Sequence, residues 1–328
     1  MLSHDDLRSE LISRLPDLAT WTGGRMEGLD GGPATAVLAA GVVQLAEGNA
    51  GELGSPGLEA IVERFTRPVF LVQDGTYAPP KDSAGESETI LALLAKAVTG
   101  IQAAIPSVGR VDLRNHRFGW VGTGWMVGPN VAVTNRHVAQ EFATAAPNGT
   151  FGFRAAADRR EVKAAIDWRR EYQRPDEHVV KVDEVMWIEP DGGHDVALLH
   201  VSDTDEDGAA TPHPIPLMAE AEIADTLAEW VAVIGYPEQS PYNDLLDQQR
   251  IFDGIYGVKR LAPGTIMSLN NDSGTLEHDA TTLGGNSGSV LVHLASGKAV
   301  GLHFGGIEGE SNQAVQASVV ADLIAQHT

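Results

Sequence analysis

From residue 107 to the C-terminus the sequence breaks into short apolar runs separated by turns that contain glycine or proline. The clearest pair is residues 120–127 and 131–134, which flank Gly128-Pro129-Asn130 and predict a β-hairpin. Further runs with strand composition are residues 108–113, 151–153, 179–188, 196–201, 231–234, 251–258, 265–269, 289–294 and 299–304. A single late helix is predicted at about residues 317–326. This pattern predicts a mainly β chain with an all-β barrel architecture.

The preceding residues have a different pattern. Apolar residues at helical spacing predict short helices at residues 4–15, 33–47, 56–66 and 88–104. A strand is predicted at residues 67–72, and residues 75–88 have the composition of a linker. We therefore divide the chain into a small α-helical N-terminal module (1–75), a linker and helix (76–106) and a β domain (107–328). A chain of 328 residues is long enough for roughly two domains.

Charge and cysteine content exclude several classes of protein. Lys plus Arg is 23 and Asp plus Glu is 45, so the net charge of −22 predicts no nucleic-acid partner and no membrane partner. The absence of cysteine excludes disulfides, iron–sulfur clusters and thiolate zinc sites, and it favours a reducing compartment. No basic segment followed by an apolar core is seen at the N-terminus, and no run reaches about 18 uninterrupted apolar residues. We expect a cytoplasmic protein.

The chemistry is indicated by the stretch Gly284-Gly285-Asn286-Ser287-Gly288-Ser289, in which glycines frame a serine. Such a loop is often only a turn, but it can also present a hydroxyl for nucleophilic attack. A hydroxyl nucleophile needs a base and an orienting carboxylate. His137 follows the apolar run at 131–134, in a predicted short helix at 137–143, and Asp195 precedes the run at 196–201. The chain order His, Asp, Ser favours a catalytic triad over three unrelated structural residues.

Five blocks occur in one order along the chain: Gly122-Thr123-Gly124, Thr134-Asn135-Arg136-His137, Asp195-Val196-Ala197-Leu198, the serine loop, and Val300-Gly301-Leu302-His303-Phe304-Gly305-Gly306. Together they resemble the trypsin-like serine peptidases, and in particular the glutamyl endopeptidase (V8-like) branch, over about residues 108–320. The resemblance implies two six-stranded antiparallel β-barrels with a C-terminal helix. It places the first two triad residues on the first barrel and the serine on the second.

The resemblance also implies the roles of the site residues. Ser287 is the nucleophile, His137 the general base and Asp195 the orienting carboxylate, while the backbone N–H groups of Gly285 and Ser287 form the oxyanion hole. Asn286 stands where trypsin has an aspartate that pairs with a freed N-terminal amine. Asparagine cannot form that ion pair, so we expect no activation of the trypsin type.

Substrate selection is assigned by the same resemblance. Thr282 and His303 match the residues that hold the substrate carboxylate in the V8-like branch, and Gly305 and Gly306 are expected to leave the pocket open to a long side chain. No aspartate is placed to attract Lys or Arg. We expect a preference for Glu or Asp before the scissile bond.

No cofactor is expected, and no metal. His194 and His200 would share one strand face, but no third ligand lies at a recognisable spacing. The expected partners are a protein or peptide substrate and a regulatory partner that acts through the N-terminal helical module. Two alternatives remain open, namely a non-catalytic peptide-binding protein on the same fold and an esterase or other acyl hydrolase with the same machinery.

Overall fold

A computed structural model describes residues 67–78, 86–146, 149–239, 245–307 and 311–328. The helices predicted at 4–15, 33–47 and 56–66 lie outside the described residues. From Glu63 to Thr328 the chain forms one compact unit.

Sixteen strands and five α-helices are seen in the described residues. The strands are β1 Phe70–Gln73, β2 Thr76–Ala78, β3 Val108–Arg114, β4 Trp120–Gly128, β5 Val131–Thr134, β6 Ala143–Ala145, β7 Phe151–Phe153, β8 Lys163–Asp167, β9 Val179–Ile188, β10 Ala197–Val201, β11 Trp230–Gly235, β12 Arg260–Asn270, β13 Thr275–His278, β14 Val290–His293, β15 Ala299–Ile307 and β16 Ser311–Gln316. The helices are α1 Glu86–Ala104, α2 Arg136–Phe142, α3 Glu220–Ile223, α4 Leu245–Phe252 and α5 Ala317–His327, and a 3-10 turn at Ile105–Ser107 follows α1.

Two closed barrels contain most of these strands. The first has the order β10-β5-β4-β3-β8-β9. The second has the order β11-β14-β15-β16-β13-β12 and closes through the β11–β12 pairing. Every pairing within the two barrels is antiparallel, and alternate side chains fill each interior. The predicted fold of two six-stranded antiparallel barrels with a C-terminal helix is confirmed.

The segment before the first barrel is built into the same unit. Strand β1 pairs with β12 of the second barrel, with Phe70 opposite Leu261, and β2 pairs with β1. The strand predicted at 67–72 is therefore observed as β1, and the described start of the predicted linker adds β2 to the same sheet.

Helix α1 packs one face against the core that both barrels share. Its residues Ile90, Leu94 and Ile101 recur at helical spacing, are 5% exposed or less, and belong to one cluster with Trp125 of the first barrel and Ile234 of the second. By length and composition alone Glu88–Ser107 could also cross a membrane. In this structure its buried residues pack against the shared core of the two barrels.

The strand predicted at 251–258 is wrong. This region holds the end of α4 and then a series of turns, with positive φ at Asp253, Gly254 and Gly257. Arg260 donates hydrogen bonds to the carbonyls of Phe252 at 2.7 Å and Ile255 at 2.9 Å. A side chain from the following strand thus satisfies the carbonyl of Phe252 at the end of the helix and that of Ile255 in the turn after it, which local propensity does not reveal.

Candidate active site

His137 is presented at the rim of the first barrel by a strand-to-helix step. Strand β5 is fully buried, and Asn135 follows it as the N-terminal cap residue of α2. The helix buries Val138, Ala139 and Phe142 against the barrel. His137 therefore lies off the buried face, and 43% of its side chain is exposed.

Asp195 reaches His137 because β10 runs antiparallel to β5, with Ala197 opposite Thr134. The Oδ2 atom of Asp195 lies 2.6 Å from Nδ1 of His137, and its Oδ1 accepts a hydrogen bond from the His137 backbone N–H at 3.0 Å. Asn135 donates its amide hydrogen to the Asp195 carbonyl at 2.9 Å. A carboxylate can only accept, so Nδ1 carries the proton and Nε2 is left with a lone pair. This is the tautomer that a general base requires.

The connection between β13 and β14, residues 279–289, contains the serine and is called the serine loop from here on. It can follow its path only because two of its positions are glycine. Gly285 and Gly288 have φ of +82° and +86°. A Cβ atom at Gly285 would lie 2.4 Å from the Tyr236 carbonyl oxygen and 2.6 Å from the ring of Trp120. At Gly288 it would lie 2.0 Å from the carbonyl oxygen of Thr123. The loop therefore packs directly against the first barrel on both sides of Ser287.

Strand β4 brings Ser287 beside the helix that carries His137. The Thr123 N–H donates to the Ser287 carbonyl at 2.8 Å. A Cβ atom on Gly122 would lie 2.8 Å from Val138 and 2.9 Å from the same carbonyl oxygen, so β4 contacts both elements. Within the described part of the chain the Ser287 hydroxyl makes no hydrogen bond. Catalytic hydrogen bonds often form only when substrate is bound.

The backbone N–H of Gly285 is oriented by a bond to the preceding carbonyl. Glu238 donates its backbone N–H to the Gly284 carbonyl at 2.6 Å. In a planar trans peptide the N–H points opposite to the carbonyl, so the Gly285 N–H faces away from Glu238. Among the described residues, neither this N–H nor that of Ser287 donates a hydrogen bond. Two N–H groups two residues apart are thus available to an oxygen atom of a substrate.

Asn286 makes its contacts inside the loop. It is 4% exposed, its N–H donates to the Leu283 carbonyl at 3.2 Å, and its Oδ1 accepts from the Ser289 hydroxyl at 3.4 Å. The Ser289 N–H in turn donates to the Asn286 carbonyl at 2.8 Å. All of these hydrogen bonds within the loop are between neutral groups.

The predicted substrate pocket brings His303 to the serine loop. The His303 N–H donates to the Ser289 carbonyl and its carbonyl accepts from the Gly288 N–H, both at 2.9 Å. The ring is 3% exposed, and its Nδ1 lies 3.3 Å from Nε2 of His278. Sequence analysis missed His278, although the alternation of β13 just before the serine loop marks it as a residue of that strand.

The other predicted pocket residues, Thr282, Gly305 and Gly306, differ in their burial and in their contacts. Thr282 is half-buried in the serine loop, and Gly305 is buried in β15. A Cβ atom at Gly306 would lie 2.0 Å from Oδ1 of Asn312, so the side chain of Asn312 occupies the space that this glycine leaves. Asn312 donates to the Ala280 carbonyl at 2.6 Å, which links β16 to the start of the serine loop.

A metal centre is not seen. Among the described residues no three His, Asp or Glu side chains are grouped so that they could hold a metal ion. What the site offers instead is a hydroxyl, an oriented imidazole and two backbone donors, which is the equipment for acyl transfer.

Two six-stranded antiparallel barrels, with a His–Asp pair on one and a glycine-framed serine on the other, define the class of trypsin-like serine peptidases. The chain belongs to the family of the trypsin-like peptidase domain, which matches residues 122–302. The predicted class of enzyme, a serine peptidase, is confirmed.

Two curated relatives are similar to this chain. A probable serine protease of Lysobacter enzymogenes is 32% identical over 279 residues, which are 78% of this chain and 70% of the relative. A glutamyl endopeptidase of Staphylococcus epidermidis is 23% identical over 194 residues, which are 59% of this chain and 57% of the relative.

Among solved structures, a serine endoprotease from Yersinia pestis matches with a TM-score of 0.45 and 17% identity, over 70% of this chain and 65% of that one. A protease of M. tuberculosis in an inactive form matches with a TM-score of 0.42 and 22% identity, over 76% of this chain and 96% of that one.

Proposed function

We propose that this trypsin-like serine peptidase is an endopeptidase that cleaves proteins through an acyl-enzyme on Ser287. The observation that carries this proposal is the contact of both Asp195 oxygens with His137, at 2.6 Å to the ring and 3.0 Å to the backbone N–H. That contact supports a role for the imidazole as a base, and strand β4 contacts both its helix and the serine loop.

The proposed reaction has two halves. The Ser287 hydroxyl attacks the peptide carbonyl and gives its proton to Nε2 of His137, while the N–H groups of Gly285 and Ser287 receive the carbonyl oxygen as it becomes negative. Collapse of the tetrahedral intermediate breaks the peptide bond, and His137 passes the proton to the leaving amine. Water then attacks the ester, with His137 as base again, and releases the acid product.

The test of this proposal is labelling by a fluorophosphonate probe, read by intact-protein mass spectrometry. We expect one probe on the wild-type chain, at Ser287, and none on Ser287→Ala or His137→Ala. Ser296→Ala, an exposed serine outside the site, is the matched control and should label like the wild type. A folded wild-type chain that neither labels nor cleaves casein would favour the peptide-binding alternative, and cleavage of esters without peptides would favour an acyl hydrolase.

We also propose that the enzyme is active without proteolytic cleavage of its own chain between about residues 75 and 110. In support, Asn286 replaces an ion pair with neutral bonds, and Leu94 and Ile101 of α1 are fully buried, so losing this segment would empty the core. The labelled species is therefore expected to have the mass of the uncut chain plus one probe. Labelling restricted to a fragment that begins in this region would identify residues before it as an inhibitory pro-segment.

Regulation through the N-terminal region is the third part of the proposal. We propose that the N-terminal region influences the site through Arg67. This residue forms an ion pair of 2.5 Å with Asp279, which lies at the start of the serine loop. We expect the rate of the same labelling reaction to differ between the whole chain and a chain that begins at Glu63. Equal rates would argue against such regulation and leave the catalytic proposal intact.

We propose, finally, that the enzyme prefers Glu or Asp before the scissile bond. The backbone of His303 is bonded on both sides to the serine loop, and His278 contacts its Nδ1. A substrate carboxylate at this imidazole would gain charge-assisted hydrogen bonds, and a misfit side chain would leave the polar groups unpaired. The net charge of −22 repels acidic substrates at long range, but salt screens this beyond about 10 Å.

The preference is measured with peptides that differ only before the cut. We expect kcat/KM for Glu to exceed that for Gln, and His303→Gln to lower the Glu rate by about a hundredfold with a much smaller effect on Gln. His293→Gln, at a buried strand histidine of the same barrel, is the control and should keep the preference. Efficient cleavage after Lys, Arg or large apolar residues, with Glu and Asp ignored, would contradict the acidic preference alone.

A further inference from the structure

Thr123 makes four hydrogen bonds, and two of them connect the first barrel to the serine loop. It lies on β4 and is completely buried. Its N–H donates to the Ser287 carbonyl at 2.8 Å, and its hydroxyl donates to the Gly285 carbonyl at 3.0 Å. The hydroxyl also accepts from the Tyr236 N–H at 3.2 Å, and the Thr123 carbonyl accepts from the Thr134 hydroxyl at 2.7 Å.

The roles of the hydroxyl are fixed by this set of contacts. The Gly285 carbonyl can only accept and the Tyr236 N–H can only donate, so the hydroxyl donates to the first and accepts from the second. Every polar atom of Thr123 is thereby paired. A buried hydroxyl with both roles in use holds its partners in one geometry.

The two bonds at Gly285 fix the peptide planes on either side of it. The plane before Gly285 is held by the Glu238 N–H on the Gly284 carbonyl at 2.6 Å, and the plane after it is held by the Thr123 hydroxyl. Glycine at φ +82° has no side chain to restrict its rotation, so these bonds do so instead. The same threonine holds the Ser287 carbonyl.

We propose that the Thr123 side chain is a positioning residue of the oxyanion hole: it holds the peptide plane after Gly285 from the opposite barrel and thereby sets the orientation of the Gly285 and Ser287 N–H groups relative to each other. This inference rests on the proposed acyl-transfer function. Thr123 lies behind the loop and does not touch substrate. It acts by keeping the Gly285 and Ser287 N–H groups aimed at one point, so its contribution is to the transition state and not to substrate binding.

The decisive variant is Thr123→Val, which removes the hydroxyl and keeps the shape. The Gly285 carbonyl and the Tyr236 N–H then lose their partner, and the loop is free to rotate. We expect kcat for a peptide amide to fall about tenfold to a hundredfold, with KM changed less than about threefold. The Ki of a peptide boronate, whose adduct places an oxygen in the hole, should rise in parallel with the loss in kcat. Thr123→Ser should restore both values to within about threefold of wild type.

The matched control is Thr226→Val, which removes another buried threonine hydroxyl bonded to a carbonyl, that of Ile223 at 2.7 Å. A stability effect alone would lower the unfolding midpoint of both variants and leave kcat of the folded fraction unchanged. If Thr123→Val does not fold, Thr123→Cys takes its place, because a thiol is only a weak hydrogen-bond donor. We then again expect a lower kcat with little change in KM.

Two negative results are distinguishable. A wild-type chain that does not react with the fluorophosphonate overturns the proposed function. A wild-type chain that reacts normally, together with a folded Thr123→Val chain of unchanged kcat and boronate Ki, overturns the role of Thr123 alone. A rise in KM with unchanged kcat would also overturn it, because that result would place Thr123 in substrate binding.

Discussion

Asp195→Asn is expected to lower kcat for peptide cleavage by about ten thousandfold and to leave KM within a few-fold of wild type. Asp195 accepts hydrogen bonds at both oxygens, from the His137 ring and from its backbone N–H. Asparagine has only one acceptor oxygen. If that oxygen keeps the backbone bond, the amide group faces Nδ1 as a donor and stabilises the tautomer with the proton on Nε2. His137 then has no lone pair to offer Ser287.

The measurement is steady-state kinetics on a peptide amide, with the unfolding midpoint recorded for each variant. Asp183→Asn is the control, because Asp183 is a first-barrel carboxylate that accepts a hydrogen bond from Ser202 at 2.7 Å outside the site. It should retain wild-type kcat. Asp195→Asn with kcat within tenfold of wild type would mean that Asp195 does not orient the base, and another carboxylate would have to be sought.

Lys259→Met is expected to lower the free energy of unfolding by about 3–5 kcal/mol, the usual cost of removing one member of a buried ion pair. Lys259 is completely buried, and its ammonium donates to the carbonyls of Ile105 and Trp168, each at 2.8 Å. Its Nζ lies 3.7 Å from Oε1 of Glu171, which is also buried. Methionine fills similar space but leaves two carbonyls and a carboxylate without this partner.

Denaturant unfolding at pH 7 measures this loss of unfolding free energy. The double variant Lys259→Met, Glu171→Gln measures how much of the loss comes from the Glu171 carboxylate that no longer faces an ammonium group. We expect the double variant to recover part of the stability. It will not recover all of it, because Glu171 also accepts from the Gly75 N–H at 2.8 Å and from Arg174 at 3.3 Å. A loss below about 1 kcal/mol in the single variant would show that water replaces the ammonium.

The same residue makes stability depend on pH. Burial lowers the pKa of Lys259 from 10.5 to about 8, with Glu171 opposing this shift. Between these two values the unfolded chain holds a proton that the folded chain has lost, so raising the pH favours the folded state. The difference in unfolding free energy between wild type and Lys259→Met should therefore be flat below pH 8 and grow from about pH 8 to 10.5. A difference that shrinks over this range would contradict the lowered pKa.

Local sequence determined the barrels and the candidate triad, for a physical reason. Strands that cover a core appear as alternating or continuous apolar runs, and those at 131–134, 151–153 and 179–188 are observed at the predicted bounds. The positive φ angles of Gly285 and Gly288 need glycine, so the serine loop is visible in the sequence. His137 and Asp195 adjoin buried strands that pair with each other, and the strand register brings them together.

Strand β8 and helix α4 show where local pattern fails. Strand β8, Lys-Ala-Ala-Ile-Asp, has too little β-branched alternation to be recognised, yet it pairs with both β3 and β9 because the first barrel must close. The apolar run at 251–258 looked like a strand, but Arg260 satisfies the carbonyls of a helix end and of the turn that follows it. Strand pairing within the barrel overrides propensity at β8, and the contacts of a single side chain do so at the end of α4.

Tertiary structure alone decided what supports the site. Thr123 bonds Gly285, which is 162 residues away in the chain, and Lys259 bonds Ile105, which is 154 residues away. His278 on β13 contacts His303 on β15 across the intervening strand β16. No sequence period relates such residues, because their contact follows from the closure of each barrel and the packing of α1 against the core that the barrels share. Sequence fixes which backbone segments alternate or turn, whereas the pairing of buried polar atoms is settled only when the two barrels meet and each atom must find a partner away from water.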